Sequence, residues 1–278
     1  MTIRDKLKPL ALLGPAIALE VGLFFIPLVM LALVSLTSRD SFFFKPIWTS
    51  GNYLEVFTVY GFDFQITFGL IIAAACLDLI LGFPFTYLMT RKIRKYGDLF
   101  RAVMLVPLFG ELYIAYGFYY LFLPGGPLSF LFTALGIQTY QALYSLPAAV
   151  LAIAIYTFPF AVYNIGIALQ GIDPAVEESA RCLGAGALAT FLKVTLPMAL
   201  PGIIGAWLVS IGWGLGTFAI PVLMGGAMVS QRMLSVEMYS IALLQLDFGT
   251  ASAIGVLLAV VAVVIFYLSL RVTKGALI

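Results

Sequence analysis

Runs of about twenty apolar residues recur along this chain, and that is the length a helix needs to cross the hydrocarbon of a bilayer. The composition permits little else. With 63% hydrophobic and 10% charged residues, and a mean hydropathy of +1.09, a water-soluble domain could not cover itself in polar side chains. The sequence therefore predicts an all-α, polytopic membrane protein occupying 1–278 as one transmembrane domain.

Six spans can be placed, at 10–36, 64–90, 102–123, 143–170, 202–224 and 249–270. The first apolar run follows basic residues, as in a signal peptide. It continues too far for a cleaved one and is expected to be the first retained span. Of the 15 Lys and Arg, all but Arg39, Lys45 and Arg232 fall in 1–9, 91–101, 171–201 and 271–278. By the positive-inside rule those segments, and both termini, are expected in the cytosol. The opposite segments carry aromatics (Phe42, Phe43, Phe44, Trp48), the turn around Pro124-Gly125-Gly126-Pro127, and a possible short helix from Ser129 to Gly136.

The one long polar island, 171–201, lies between the fourth and fifth spans. Asp173 can cap a helix that opens on Pro174, where a missing N–H costs nothing, and that runs to about Cys182. Glu177 and Arg181 are four apart and share a face, while Val176 leaves a capping box incomplete. Gly184 and Gly186 are expected to turn the chain through left-handed dihedrals. A second short helix, about 187–194, is expected to stop before Pro197, with Pro201 opening the next span.

Glu178-Ser179-Ala180, then Gly184, then Val194-Thr195-Leu196-Pro197 at fixed spacing resembles the EAA loop of the membrane subunits of bacterial ABC importers. Ser179 and Val194 replace the family's usual Ala and Ile and keep their size. The resemblance implies a type I ABC importer permease fold, six transmembrane helices and a location in the bacterial inner membrane. It implies that Glu177, Glu178, Ser179, Ala180, Arg181, Gly184, Val194, Leu196 and Pro197 form the coupling loop. The implied partners are two ATP-binding subunits, a second identical or homologous permease, and a periplasmic or lipid-anchored solute-binding protein. The stretch from Phe218 to Gly226 is similar to the spermidine/putrescine-type permeases.

The chain carries no Walker A pattern and no His, so ATP and Mg are expected in the partner ATPase and no cofactor or metal here. Cys76 and Cys182 are far apart and point away from a disulfide framework. No enzyme chemistry and no nucleic-acid partner are expected.

A possible translocation path is read from two features. Gly212, Gly214 and Gly216 lie in a glycine-rich fifth span, which suits either tight helix packing or a locally broken helix beside the path. Glu20, Asp78 and Glu111 lie about 13–20 Å inside their spans with no Lys or Arg at their depth. They are either neutral acids bonding a neighbouring helix or a polar lining that favours a polyamine-like cation. Tyr113 and Tyr116, beside Glu111, offer faces to a cation or pack. The alternatives are an importer of an anion, iron, a sugar or an opine, and a secondary transporter working alone.

Overall fold

The computed structural model describes residues 3–39, 47–91, 93, 97–104, 106–136, 143–224 and 232–274. Among these the chain is helical, apart from turns and one isolated bridge between Thr37 and Trp48. It divides into two compact units, Met1–Gly61 with Met238–Leu258, and Phe62–Glu237 with Ala259–Ile278.

The first unit holds α1 (Ile3–Val34) and α2 (Gly51–Val59). Asn52 of α2 is its polar hub: the side-chain amide donates to the carbonyls of Ser35 and Thr37 at 2.7 and 2.8 Å. Ser35 Oγ and Tyr53 Oη share a further bond of 2.7 Å. These bonds satisfy the carbonyls left open where α1 ends. The apolar window of α1 buries nothing inside the chain, and Glu20 is exposed on it.

The second unit begins with α3 (Gly61–Arg91), α4 (Gly97–Met104), a 3-10 turn (Val106–Phe109), α5 (Glu111–Phe122) and α6 (Ser129–Ala134). The fourth expected span is α7 (Leu146–Gln170), opened by Ser145, whose hydroxyl accepts from Ala148 N, and by Pro147. The polar island gives α8 (Pro174–Cys182) and α9 (Ala187–Thr190), and a π turn (Phe191–Thr195) leads into α10 (Leu196–Gly214). After a break come α11 (Ala219–Met224) and the start of α12 (Leu234–Leu243), which belongs to the first unit from Met238 on. The last helix, α13 (Phe248–Lys274), enters this unit at Ala259.

Among the described residues five helices are long and apolar enough to cross a membrane: Leu13–Val34, Gly61–Arg91, Leu146–Gln170, Ala187–Gly214 and Phe248–Thr273. The expected third span, 102–123, is not one helix among the described residues. Pro107 lacks an N–H, and Gly110 adopts φ +142°, so the segment is built from α4, the 3-10 turn and α5. The fifth span also differs from expectation. It does not stop before Pro197 or begin at Pro201, but runs from Ala187 to Gly214. The π turn makes this possible: Leu196 N reaches back five residues to Phe191 O, so Pro197 falls in the first turn of α10.

The core of this unit lies where α3, α7 and α10 meet, around Phe83, Ala161, Ile165, Leu169, Ile172, Ala199, Ile203 and Ala206. Small residues bring these backbones close. A Cβ added at Gly202 would collide with Ala168, one at Gly205 would meet Thr273 Oγ1 at 2.5 Å, and one at Gly214 would meet Ile71 Cγ2 at 2.7 Å.

Candidate functional site

The polar island forms as its local signals predict at its first half. Asp173 Oδ1 accepts from Ala175 N at 2.9 Å, Pro174 fills the first helical position, and α8 ends at Cys182. Beyond it Gly184 takes φ +90°, and its N–H and that of Ala185 satisfy the carbonyls of Arg181 and Ala180. Gly186 departs from expectation: it is extended at φ −66°, because it caps α9 rather than turning the chain.

The two acids of α8 face opposite ways. Glu178 is exposed, together with Ser179, Arg181, Cys182 and Gly184. Glu177 is only 4% exposed, and its Oε1 lies 3.2 Å from Arg91 Nε at the end of α3. Arg181 is the looser partner at 3.8 Å, with half its side chain in the open. Next to the exposed charges stand Leu183 and Leu188, 89% and 71% exposed. Large apolar side chains on a polar loop mark a surface made to be covered. On its other side the loop is anchored by Phe191, whose ring contacts Phe83 and Tyr87 with centroids at 5.4 and 4.9 Å. Ala180, Val194 and Leu196 are half-buried, and Leu196 packs on the core; Pro197 is exposed. Arg91, Leu183, Leu188 and Phe191 were not singled out from sequence, since neither exposure nor a partner distant in sequence is written in local spacing.

The second candidate region is the break after α10. Gly214 O accepts from Thr217 Oγ1 at 2.8 Å, and Thr217 O accepts from Ser235 Oγ at 2.6 Å. The N–H groups beyond are taken by Glu111. Phe218 N donates to both of its carboxylate oxygens, at 2.9 and 3.0 Å, and Ile220 N donates to Oε1 at 2.8 Å. The broken helix of the fifth span is thus real, and its freed backbone groups are satisfied within the chain, as a membrane requires. Gly212 and Gly214 are buried, against Phe266 and Ile71, whereas Gly216 is exposed. Tyr113 and Tyr116 stand exposed on α5, and Trp213 of α10 is also exposed and stacks on Phe160 at 4.2 Å.

Asp78 sits elsewhere, 1% exposed, where its Oδ2 accepts from Thr157 Oγ1 of α7 at 2.7 Å. It bridges two helices. At the other end of α3, Asp63 pairs with Arg232 at 3.2 Å, and the Arg232 guanidinium lies over the Phe62 ring. Burial, then the Asp63 carboxylate, push the nearby Glu237 carboxyl up, and Arg232 opposes them. Among the described residues no cluster of His, Cys, Asp or Glu could hold a metal ion.

Residues 99–275, which contain the island and the break, match the family of binding-protein-dependent transport system inner membrane components. The chain belongs to that family. As an importer permease it has relatives of differing cargo. The probable sulfate transport system permease protein cysT of Prototheca wickerhamii is 28% identical over 257 residues, 88% of this chain and 94% of its own. The spermidine/putrescine transport system permease protein PotB of Escherichia coli is 31% identical over 210 residues, 73% of this chain and 76% of its own. A bacterial alginate ABC transporter, solved with an alginate pentasaccharide-bound periplasmic protein, has a chain of the same fold. It matches with a TM-score of 0.71 at 20% identity, over 99% of this permease and 98% of that chain. The chain is therefore a membrane-spanning transport subunit that works within a larger complex, and the reading of a carrier working alone is set aside.

Proposed function

We propose that this permease is one of a pair forming the path of an ATP-driven importer in the bacterial inner membrane. On this reading the island 171–201 faces the cytosol and seats in a cleft of a separate ATP-binding subunit, which supplies ATP and Mg. A solute-binding protein on the far side delivers the cargo. The observation that carries the reading is the exposed cluster of Glu178, Arg181, Leu183 and Leu188 on a helix and turn whose other side is fixed to the spans. Apolar knobs ringed by charge suit a partner cleft, and they stand uncovered among the described residues.

The coupling proposal has a direct test. Glu178→Arg reverses an exposed charge, and Gly184→Val forces a β-branched residue to φ +90°. Both variants are expected to reach the membrane and to lose most co-purifying ATPase, by about tenfold. Normal assembly and normal ATP-driven uptake in both would overturn the docking role.

For the cargo we favour a small polyamine-like cation, on the strength of the PotB relatives. The intramembrane acids lend this less support than their sequence positions suggest. Asp78 is enclosed, and Glu111 is engaged by backbone N–H groups. The second reading, a small oxyanion, draws on the cysT relative, which spans more of the chain. Uptake of labelled putrescine against labelled sulfate in cells carrying the whole system separates the two.

A further inference from the structure

The guanidinium of Arg91 joins three elements that the sequence keeps far apart. Arg91 is the last residue of α3. Its Nη2 donates to Leu169 O at 3.1 Å, in the last turn of α7, and to Ile172 O at 2.8 Å, just beyond the helix. A cation there also complements the negative end of the helix dipole. Its Nε faces Glu177 of α8 at 3.2 Å, an ion pair rather than an aligned hydrogen bond. Both side chains are nearly enclosed, at 11% and 6% exposure, so the pair is shielded from the solvent that weakens surface pairs.

We propose that Arg91 is the positioning residue that fastens the docking helix α8 to the end of the second span and to the end of the fourth. A partner that displaces α8 then moves α3 and α7 with it. The proposal rests on the reading that α8 docks an ATP-binding subunit. Two of the island's fastenings differ in chemistry. Phe191 holds its second half to Phe83 and Tyr87 through apolar contact, which tolerates sliding. Arg91 holds its first half through a buried charge whose partners are fixed in direction. Separating that charge from Glu177 leaves Arg91 without a carboxylate and Glu177 with only the looser Arg181 at 3.8 Å, so the linkage resists being pulled apart. Glu177 accordingly belongs to the inward, force-bearing side of α8, and Glu178 to the face the partner meets.

The test uses the purified permease with its ATP-binding partner, so no solute need be known. Backbone hydrogen–deuterium exchange is followed in 174–182 and in 86–91, with and without the non-hydrolysable nucleotide AMP-PNP and Mg²⁺. In the wild-type complex both segments are expected to respond to the nucleotide. In Arg91→Ala the response of 174–182 should persist, while that of 86–91 falls about fivefold or more. A residue with only a structural role would change the resting exchange and leave this nucleotide-dependent difference in place. Glu177→Gln keeps the side-chain size and the carbonyl bonds of Arg91 while removing the ion pair; it should show the same selective loss, and serves if Arg91→Ala does not assemble. An undiminished response of 86–91 in either variant overturns the proposal. If the wild-type 174–182 segment ignores the nucleotide, the docking reading itself fails, and the latch with it.

Discussion

Glu111 accepts from backbone N–H groups at the break after α10. Its depth in an apolar segment without a cation nearby demanded compensation, and the structure supplies it from the backbone. Two N–H groups freed by the break after α10 point at one carboxylate. Hydrogen bonds to an ionised acceptor are the stronger kind, and a membrane interior offers no water to replace them. Glu111→Gln keeps the size but presents one acceptor oxygen and an NH₂ group that faces other donors. It is expected to lower the stability of the detergent-solubilised permease by on the order of 1–3 kcal/mol. Thermal unfolding followed by circular dichroism reports this, and a melting temperature equal to wild type would show that the capping bonds contribute nothing. Asp78 differs in bonding a neighbouring helix through a side chain, Thr157, which also bonds its own helix at Ile153 O.

At the scale of elements, the glycines of α10 and of the break after it divide into those that allow contact and those that do not. A methyl at Gly214 would press on Ile71 Cγ2 at 2.7 Å, on a branched side chain with little room to yield, whereas at Gly216 the nearest atom stands at 3.7 Å. Gly214→Ala is expected to destabilise by about 1–3 kcal/mol and Gly216→Ala to be close to neutral. Comparing the two by the fraction of protein surviving a heat step checks this, and equal behaviour would remove the packing argument. The legibility of each element follows from where its signal lies. The bounds of α8 were readable because Asp173, Pro174 and Gly184 act on their immediate neighbours. The continuation of the fifth span through Pro197 was not, because a proline reads as a stop unless a π turn shifts the hydrogen-bond register before it. The broken third segment carried its signals in Pro107 and Gly110, but a hydropathy window averages over both. Arg91 was counted only as a cytosolic charge, since the partner that gives it a role lies on another helix.

For the whole molecule, the asymmetry of Lys and Arg predicts which way the proposed coupling surface faces, and that orientation decides whether α8 can meet an ATPase at all. The two cysteines make the question measurable. Cys182 lies exposed at the end of α8, and Cys76, exposed from this chain but within the apolar α3, is replaced by Ser for the experiment. Leu135, exposed in the segment after α6, is the matching reporter for the opposite face when changed to Cys. Gly126 would serve poorly there, because an added Cβ would strike the carbonyl oxygens of Tyr120, Leu121 and Leu123. With basic residues concentrated at 1–9, 91–101, 171–201 and 271–278, a membrane-impermeant maleimide is expected to label Leu135→Cys in intact cells. Cys182 should stay unlabelled until the cells are opened. The logic is one-sided in a useful way. Burial under a docked ATPase could hide Cys182 even in opened cells, so the test is run with and without the partner expressed. Protection of Cys182 that appears only with the partner would add support for docking. Labelling of Cys182 in intact cells would place the island outside, beyond the reach of any ATP-binding subunit, and the proposed function would fall with it.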